Sequence, residues 1–429
     1  MKIYLDMIGC RLNQSEIEIM ARQFTTAGHS LVADPAEADL AVVNTCTVTA
    51  AAAADSRKTI RRLSRSGIEK IVTTGCWSTL NPDQAQKLPG VIENVTNANK
   101  DGLVAVILGL NQEVFDQEPL ERIIIPGSRL RTRAFIKAQD GCRHHCAFCI
   151  TTVARGESRS ISREIVVENV RAAVRGGAQE AVLTGVQLGS WGKDFDPPLE
   201  LQDLVLAVLK ETQLPRLRLS SIEPWDITSD LIDLIREERI ARHLHLPLQS
   251  GSADVLRRMT RANTPGQYEQ LVDQIRERIP DIALTTDILT GFPAETNVEF
   301  REGLDFIQRM NFADGHVFTF SAREGTPAAD FQDQIAHSVK KERSVLIRDL
   351  LADNAEKYRQ RFVGSVLTTL WEQVETLKDG FQQAIGLTDN YLRVEALAPP
   401  EVWNSFSRVK ITGVTPRGVR GEIVNQQES

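Results

Sequence analysis

Apolar positions along the first hundred residues switch between short continuous runs and helical spacing. The run KIYLDMIGC predicts a strand that ends in Gly-Cys at Cys10. Asn13 then stands three residues ahead of Glu16, a capping-box-like start, and Ile17, Met20 and Phe24 at i, i+3 and i+7 predict a helix closing near Gly28. ADLAVVNTC repeats the strand-then-Cys pattern at Cys46, and residues 50–65 predict a long helix. A third strand, KIVTTGC, ends at Cys76, and Asn81-Pro82 opens the next helix with Pro at its first position. Alternating β and α in this way predicts a parallel sheet with helices on its faces, a doubly wound α/β unit.

Around Glu118 to Ser128 the alternation breaks, and Pro126-Gly127 marks a turn. Six strand candidates follow: AFIKAQ, EAVLTGV, RLRLSS, HLHLPL, ALTTDILTGF and DGHVFTF, separated by segments of helical periodicity. Six β/α units in series predict a partial TIM-type (β/α)6 barrel. A helical stretch over 338–361 leads into SVLTTLWE, FQQAIGL, YLRVEAL, SRVKITGV and VRGEIV, which predict a small closed OB-like β-barrel. The expected domains are therefore 1–125, 128–360 and 361–429.

With 429 residues, 42% hydrophobic and 25% charged, the chain has the balance of a folded globular protein rather than a disordered one. No window reaches the roughly 18 apolar residues of a spanning helix, and the N-terminus lacks a signal-peptide pattern, so a cytoplasmic protein with no membrane partner is expected. A net charge of −7 argues against polyanion binding by the whole surface. Residues 128–164 nevertheless hold eight Lys/Arg against three Asp/Glu, a local +5.

In a reducing compartment the six cysteines are expected to be metal ligands, catalytic thiols or buried hydrophobes rather than disulfides. Cys142, Cys146 and Cys149 are spaced C-x3-C-x2-C directly after the first barrel strand. Three thiolates that close together can wrap one face of a cubane iron–sulfur cluster and leave one iron open. The bland alternative is zinc, with His144 or His145 adding a nitrogen, but structural zinc usually takes two separated ligand pairs. No cysteine occurs in the 280 residues after Cys149. Cys10, Cys46 and Cys76 are far apart in sequence, yet each ends a predicted parallel strand, the edge where doubly wound sheets place their crevice. The rival reading is three small buried hydrophobes.

The segments GCRLNQSE, VVNTCTVTAAAAADSRKTIRR, TTGCW, FIKAQDGCRHHCAFCITTVARGESRS, HLHLPLQSGS and TDILTGFPAET carry a resemblance that covers essentially the whole chain. It resembles the radical S-adenosylmethionine (SAM) methylthiotransferases, in particular their tRNA threonylcarbamoyladenosine (t6A) branch, with a C-terminal TRAM domain. The resemblance implies that Cys142, Cys146 and Cys149 hold the SAM-binding 4Fe-4S cluster and that Cys10, Cys46 and Cys76 hold an auxiliary 4Fe-4S cluster. It further implies that SAM chelates the open iron and is cleaved to a radical that takes hydrogen from C2 of adenine. In that family the auxiliary cluster delivers sulfur and a second SAM delivers methyl, which the resemblance implies here too. An aromatic C2–H offers acid–base catalysis no handle, which is why a radical cofactor suits it.

Phe148 resembles the family's aromatic position near SAM, although it could equally pack. Thr184, Gln187, Ser220, Glu223 and Gln249 lie near the C-terminal ends of barrel strands, where cofactor contact is expected. His243 and His245 alternate along a strand and are read as satisfied barrel histidines rather than a metal pair. Gly291-Phe292-Pro293 resembles a family turn toward adenine, with Ala294 where Gly is frequent. For RNA, two clusters stand out: Arg57, Lys58, Arg61, Arg62 and Arg65 on one helix, and a rim of Arg129, Arg131, Arg133, Arg155 and Arg159. The C-terminal barrel adds Trp371, Phe381, Tyr391, Trp403 and Phe406 as stacking candidates, some of which must be core.

These readings converge on a transferase that converts t6A beside a tRNA anticodon, at position 37, to its 2-methylthio form. The implied partners are the tRNA anticodon loop and a sulfur donor and electron donor that the sequence does not name. The rival substrates are isopentenyladenosine in tRNA and a ribosomal-protein aspartate. The rival class is a non-catalytic zinc and RNA-binding protein.

Overall fold

The computed structural model describes residues 1–115, 132–376 and 382–424. The expected boundary at Pro126-Gly127, the rim residues Arg129 and Arg131, and Phe381 lie outside the described residues. Among the described residues no helix is long and apolar enough to cross a membrane.

Five parallel strands form the N-terminal sheet: β1 (Lys2–Met7), β2 (Ser30–Leu31), β3 (Leu40–Thr45), β4 (Ile71–Gly75) and β5 (Val91–Val95), in the order β2-β1-β3-β4-β5. Sequence periodicity found the three central strands and missed the edges. β2 has two residues, and β5 exposes Ile92 and Glu93 and half-buries Asn94, so neither carries a buried apolar run. Helix α1 (Arg11–Thr26) buries Ile17, Met20 and Phe24, as its spacing predicted. Its start departs from the expectation. The N-cap is Cys10, which makes no side-chain cap, while Asn13 and Glu16 lie buried inside the helix. Helix α2 (Ala50–Arg65) is capped by Thr49, whose side chain accepts from the Ala52 N–H.

The central unit holds the short antiparallel ribbon β7 (Gln139–Asp140) and β8 (Arg159–Ser160), and six parallel strands. These are β6 (Arg133–Lys137), β9 (Glu180–Thr184), β10 (Arg216–Leu219), β11 (His243–His245), β12 (Ala283–Thr290) and β13 (Asp314–Thr319). They run as two three-stranded sheets, β6-β9-β10 and β11-β12-β13, joined by parallel bridges at Leu217–Ile240 and Ser221–His245. All six predicted barrel strands are present, with helices on the outer face around one apolar core. Along the β6 edge lies α1, where the Ser15 hydroxyl accepts from the Lys137 N–H at 3.1 Å.

After the helix His337–Gln360, strands β14 (Val366–Thr376), β15 (Gln382–Thr388), β16 (Arg393–Leu397), β17 (Phe406–Thr415) and β18 (Gly418–Ile423) close a small barrel, β14-β15-β16-β18-β17. It packs against the N-terminal ends of the central strands, opposite the end where the cysteine loop emerges. Glu180, fully buried, pairs with Arg216 and Arg218. Those arginines donate onward to the carbonyls of Leu387, Thr388 and Asp389 at 3.0–3.1 Å. Tyr391 stacks on His243 with centroids 4.0 Å apart. Burial alone would raise the Glu180 pKa, but Arg218 and Arg216 outweigh it and hold the carboxyl well below its usual range.

This contribution to stability is complete above the unfolded carboxylate pKa of about 4.3 and is lost as pH falls toward the lowered folded value. Glu180→Gln leaves two buried guanidiniums short of a counter-charge, so a loss of about 3–5 kcal/mol is expected. Urea unfolding at pH 7, followed by limited proteolysis around Arg361–Gly364, measures it; an unmoved midpoint would refute the assignment.

Candidate cluster sites

Chain topology brings Cys10, Cys46 and Cys76 together. They follow β1, β3 and β4, three adjacent strands, at the C-terminal edge where the strand order reverses. Close approach needs a glycine: Gly9 adopts φ +112°, and a Cβ there would lie 2.6 Å from the Cys46 sulfur. Cys46 and Cys76 are buried, and Cys10 is the exposed member. Burial pushes the Cys46 thiol up to about 11, and the Cys46 sulfur also senses the other two cysteines. Asn97 donates to the Cys76 sulfur at 3.7 Å.

Behind this trio lies a buried ionic network that sequence reading did not find. Glu16 pairs with Lys100 and with Arg155, each at 2.8 Å, and with Lys137 at 3.6 Å. Asp140 accepts from Arg155 at 2.9 Å and from Lys137 at 2.9 Å. Burial would raise the Glu16 pKa, but Lys100, Arg155 and Lys137 together hold it well below its usual value. Asp101, at the exposed end of the network, also pairs with Lys137 at 3.3 Å, so the three cations face three carboxylates. Arg155 acts to lower the pKa of both the Cys10 and the Cys46 thiol, in Cys46 against the larger effect of burial.

The second trio sits on the loop after β7. Gly141, with φ +71°, lets this loop cross the backbone of Glu157, where a Cβ would meet the carbonyl oxygen. The Cys149 N–H donates to the Cys146 carbonyl at 3.0 Å, and the His144 N–H donates to the Cys142 sulfur at 3.4 Å. Burial pushes the Cys142 thiol up to about 12, and Cys149 and Cys146 add to the rise. Arg261, unflagged by any motif, lies 4.6 Å from the Trp225 ring centroid, pairs with Glu223 and points Nη1 at the Cys146 sulfur from 3.7 Å.

Of the expected cofactor contacts, Gln187 and Glu223 reach this loop. Gln187 accepts from the Cys142 thiol at 3.3 Å, and Glu223 reaches Cys146 through Arg261. Phe148 is half-buried and packs on the cluster around Phe292 and Phe320. Thr184 and Ser220 are buried, and Gln249 has φ +70° and pairs through its backbone with β12. Among the described residues these three make no polar contact with the cysteines. Ala294 adopts φ +60°, the conformation a glycine favours; its N–H donates to the Asp333 carbonyl, and its own carbonyl accepts from Arg258.

Several readings change. Arg155 is buried in the ionic network, and Arg133 pairs with Glu372 at the far end of the barrel, so neither belongs to an RNA rim. Arg62 pairs with Asp6, and Arg57 lies over the Trp77 ring, whereas Lys58, Arg61, Arg65 and Arg159 are exposed. His243 Nε2 and His245 Nδ1 both hydrogen-bond the Thr285 hydroxyl at 3.0 Å, while the buried His243 Nδ1 has no partner, so that ring is only half satisfied. His144 accepts from the Trp225 indole at 3.1 Å, and His145 is exposed. Among the described residues no three His, Cys, Asp or Glu side chains are placed to hold a single metal ion. A cubane asks for something different, one thiolate on each of three separate irons.

The two trios are mechanically joined through the helix Thr151–Arg155, which directly follows Cys149. Asn97 bridges the Cys76 sulfur and the Ala154 carbonyl, the latter at 2.8 Å. Arg155 donates at 2.8 Å to Asn13, whose Oδ1 also faces the Cys10 thiol. Both donor sets suit thiolate-bound clusters: cysteine sulfurs converge, and hydrogen-bond donors and cations face them.

A pattern of the radical SAM superfamily matches residues 136–307, and one of the uncharacterized protein family UPF0004 matches residues 2–97. Fold and sequence thus define a radical SAM protein. Its curated relatives include the threonylcarbamoyladenosine tRNA methylthiotransferases MtaB of Bacillus subtilis, 33% identical over 94% of this chain and 92% of the relative, and of Thermotoga maritima, 35% identical over 89% of each. A tRNA-2-methylthio-N(6)-dimethylallyladenosine synthase of Bacillus cytotoxicus is 30% identical over 99% of this chain and 86% of the relative. The chain belongs to the radical SAM methylthiotransferase family. Among solved structures, the radical SAM methyltransferase TsrM of Kitasatospora setae shares the fold, with TM-score 0.58 at 16% identity over 76% of this chain and 75% of that one.

Glu16→Gln removes the carboxylate at the centre of three buried cations. A loss of about 3–5 kcal/mol is expected, with faster hydrogen exchange in the Thr151–Arg155 helix; exchange at the wild-type rate would exclude this coupling.

Proposed function

We propose that this chain is a tRNA methylthiotransferase that converts t6A at position 37, in the anticodon loop, to 2-methylthio-t6A. The observation that carries the reading is the pair of cysteine trios braced against each other by one short helix. Identity of 33% and 35% to t6A enzymes over about nine-tenths of the chain favours this substrate over isopentenyladenosine.

In this reading Cys142, Cys146 and Cys149 hold the SAM-binding 4Fe-4S cluster, and Cys10, Cys46 and Cys76 hold a second. When bound, the clusters and SAM supply radical removal of hydrogen from C2, the sulfur atom and the methyl group. The chain's own part is placement and electrostatics. Arg261 sets positive charge at Cys146, and Arg155 of the Glu16 network does the same for Cys10 and Cys46. Glu223 and Trp225 fix the Arg261 guanidinium, so this charge needs no reorganisation. Gln187, locked by Gln139 and Asp226, lines the approach beside Cys142. The exposed Lys58, Arg61, Arg65 and Arg159 supply charge for the RNA backbone. Of the C-terminal barrel's described stacking candidates, Trp371 is core, Tyr391 is stacked on His243 and Phe406 lies under Arg216, whereas Trp403 is exposed and open to a base.

Anaerobic reconstitution should load about eight irons per chain, whereas zinc with negligible iron would favour the RNA-binding alternative. Cys146→Ala should abolish 5′-deoxyadenosine formation; Cys46→Ala should keep it and lose thiolated product. Undiminished SAM cleavage in the first variant, or normal thiolation in the second, would sink the assignment. Mass spectrometry of tRNA nucleosides from a deletion strain tests the substrate: 2-methylthio-t6A should vanish, and loss from isopentenyladenosine alone would transfer the chain to the other branch.

A further inference from the structure

Arg11 is a charged side chain that the proposed reading leaves without a task. It opens α1 directly after Cys10, and its Nη2 donates at 3.1 Å to the hydroxyl of Tyr391, 380 positions further along the chain. Among the described residues this is its one hydrogen bond, and no carboxylate pairs with it. A phenol is a neutral acceptor, so the guanidinium keeps its charge and most of its five donors unspent.

The contacts of Tyr391 place this cation at the lumen of the central barrel. The Tyr391 ring lies on His243 with only 9° between the planes, and His243 shares the Thr285 hydroxyl with His245. His245 Nε2 in turn stands 3.4 Å from the Asp287 carboxylate. Ile288 and its register partner Val317 turn into the apolar core under the helices, so Asp287 and its register partner His316 turn the other way, into the lumen. Among the described residues the Asp287 side chain has His245 as its one polar neighbour, and the exposed His316 has none. Leu289, two residues beyond Asp287 on the same face, packs with Phe148 of the cysteine loop on the apolar group around Phe292. The lumen therefore runs from the cysteine loop past unspent polar groups to a free guanidinium. Such a wall suits a substituent that carries hydrogen-bond donors and ends in an anion, and it penalises an apolar one that would leave these groups unpaired. A planar guanidinium matches a carboxylate through two parallel hydrogen bonds.

We propose that this lumen seats the N6 substituent of the target adenine and that Arg11 takes its terminal carboxylate, which makes Arg11 the residue that selects t6A. The inference rests on the tRNA reading above. The isopentenyl group has neither an anion for Arg11 nor a donor for Asp287, so the same lumen disfavours it.

The test uses the reconstituted full-length chain and fluorescein-labelled anticodon stem-loop RNAs that carry either t6A or its neutral carboxamide analogue, with binding read by anisotropy. The wild-type chain should prefer the carboxylate by at least about tenfold. Arg11→Met, which keeps an unbranched stem without charge, should bind both RNAs alike, at the affinity of the wild-type chain for the carboxamide; loss of fold alone does not produce this coupling. Equal weakening on both RNAs would give Arg11 to a phosphodiester, and an undiminished preference would give the carboxylate to another residue; either result overturns the proposal. Because Arg11 adjoins Cys10, iron content is measured for each variant, and Arg11→Gln decides where Arg11→Met loads less iron than the wild-type chain. A wild-type chain that binds both RNAs without preference overturns the proposal with no variant needed. One that neither binds nor modifies t6A RNA refutes the tRNA reading instead, so the two failures are distinguishable.

Discussion

The carboxylate of Glu16 organises this molecule. It sits in the first helix, yet its partners come from residue 100 of the same sheet unit and from residues 137 and 155 of the barrel. A buried carboxylate surrounded by three cations has one workable arrangement, because displacing any partner strands a charge away from water. The sheet therefore cannot slide along the barrel edge. Arg155 ends the short helix that begins two residues after Cys149, so the same constraint fixes how the two cysteine trios face each other. Precision in a site of this kind depends on such supporting contacts as much as on the ligands themselves.

Much of this architecture was legible because period and punctuation agree. Strand-then-Cys repeated at Cys10, Cys46 and Cys76, and a parallel sheet puts the ends of adjacent strands side by side whatever the sequence distance. All six barrel strands carried apolar runs that helical segments separated. Residues whose meaning depends on a distant partner were misread or missed. Asn13 and Glu16 have capping-box spacing, but their side chains turn into the interface. Arg133 and Arg155 look like solvated basic residues until Glu372, Glu16 and Asp140 come into place. Arg261 belongs to no motif, and only folding brings Glu223, Trp225 and Cys146 around it.

The C-terminal barrel shows the same dependence at larger scale. Its aromatic residues looked available for bases, but Tyr391 and Phe406 are engaged by His243 and Arg216 from the strand ends beneath them. Glu180 holds both arginines in the orientation that lets them grip the loop at Leu387–Asp389. Tyr391 and Phe406 are thus spent on attachment, and among the described stacking candidates Trp403 stays exposed.

Glu16 also sets an order of events during synthesis. Arg155 follows it by 139 positions, so a nascent chain that has emerged only through the first sheet holds a carboxylate it can bury with Lys100 alone. Final closure of that sheet waits for the segment bearing Cys142, Cys146 and Cys149 to leave the ribosome. Both sets of thiols thus reach their final setting only once Arg155 has docked on Glu16.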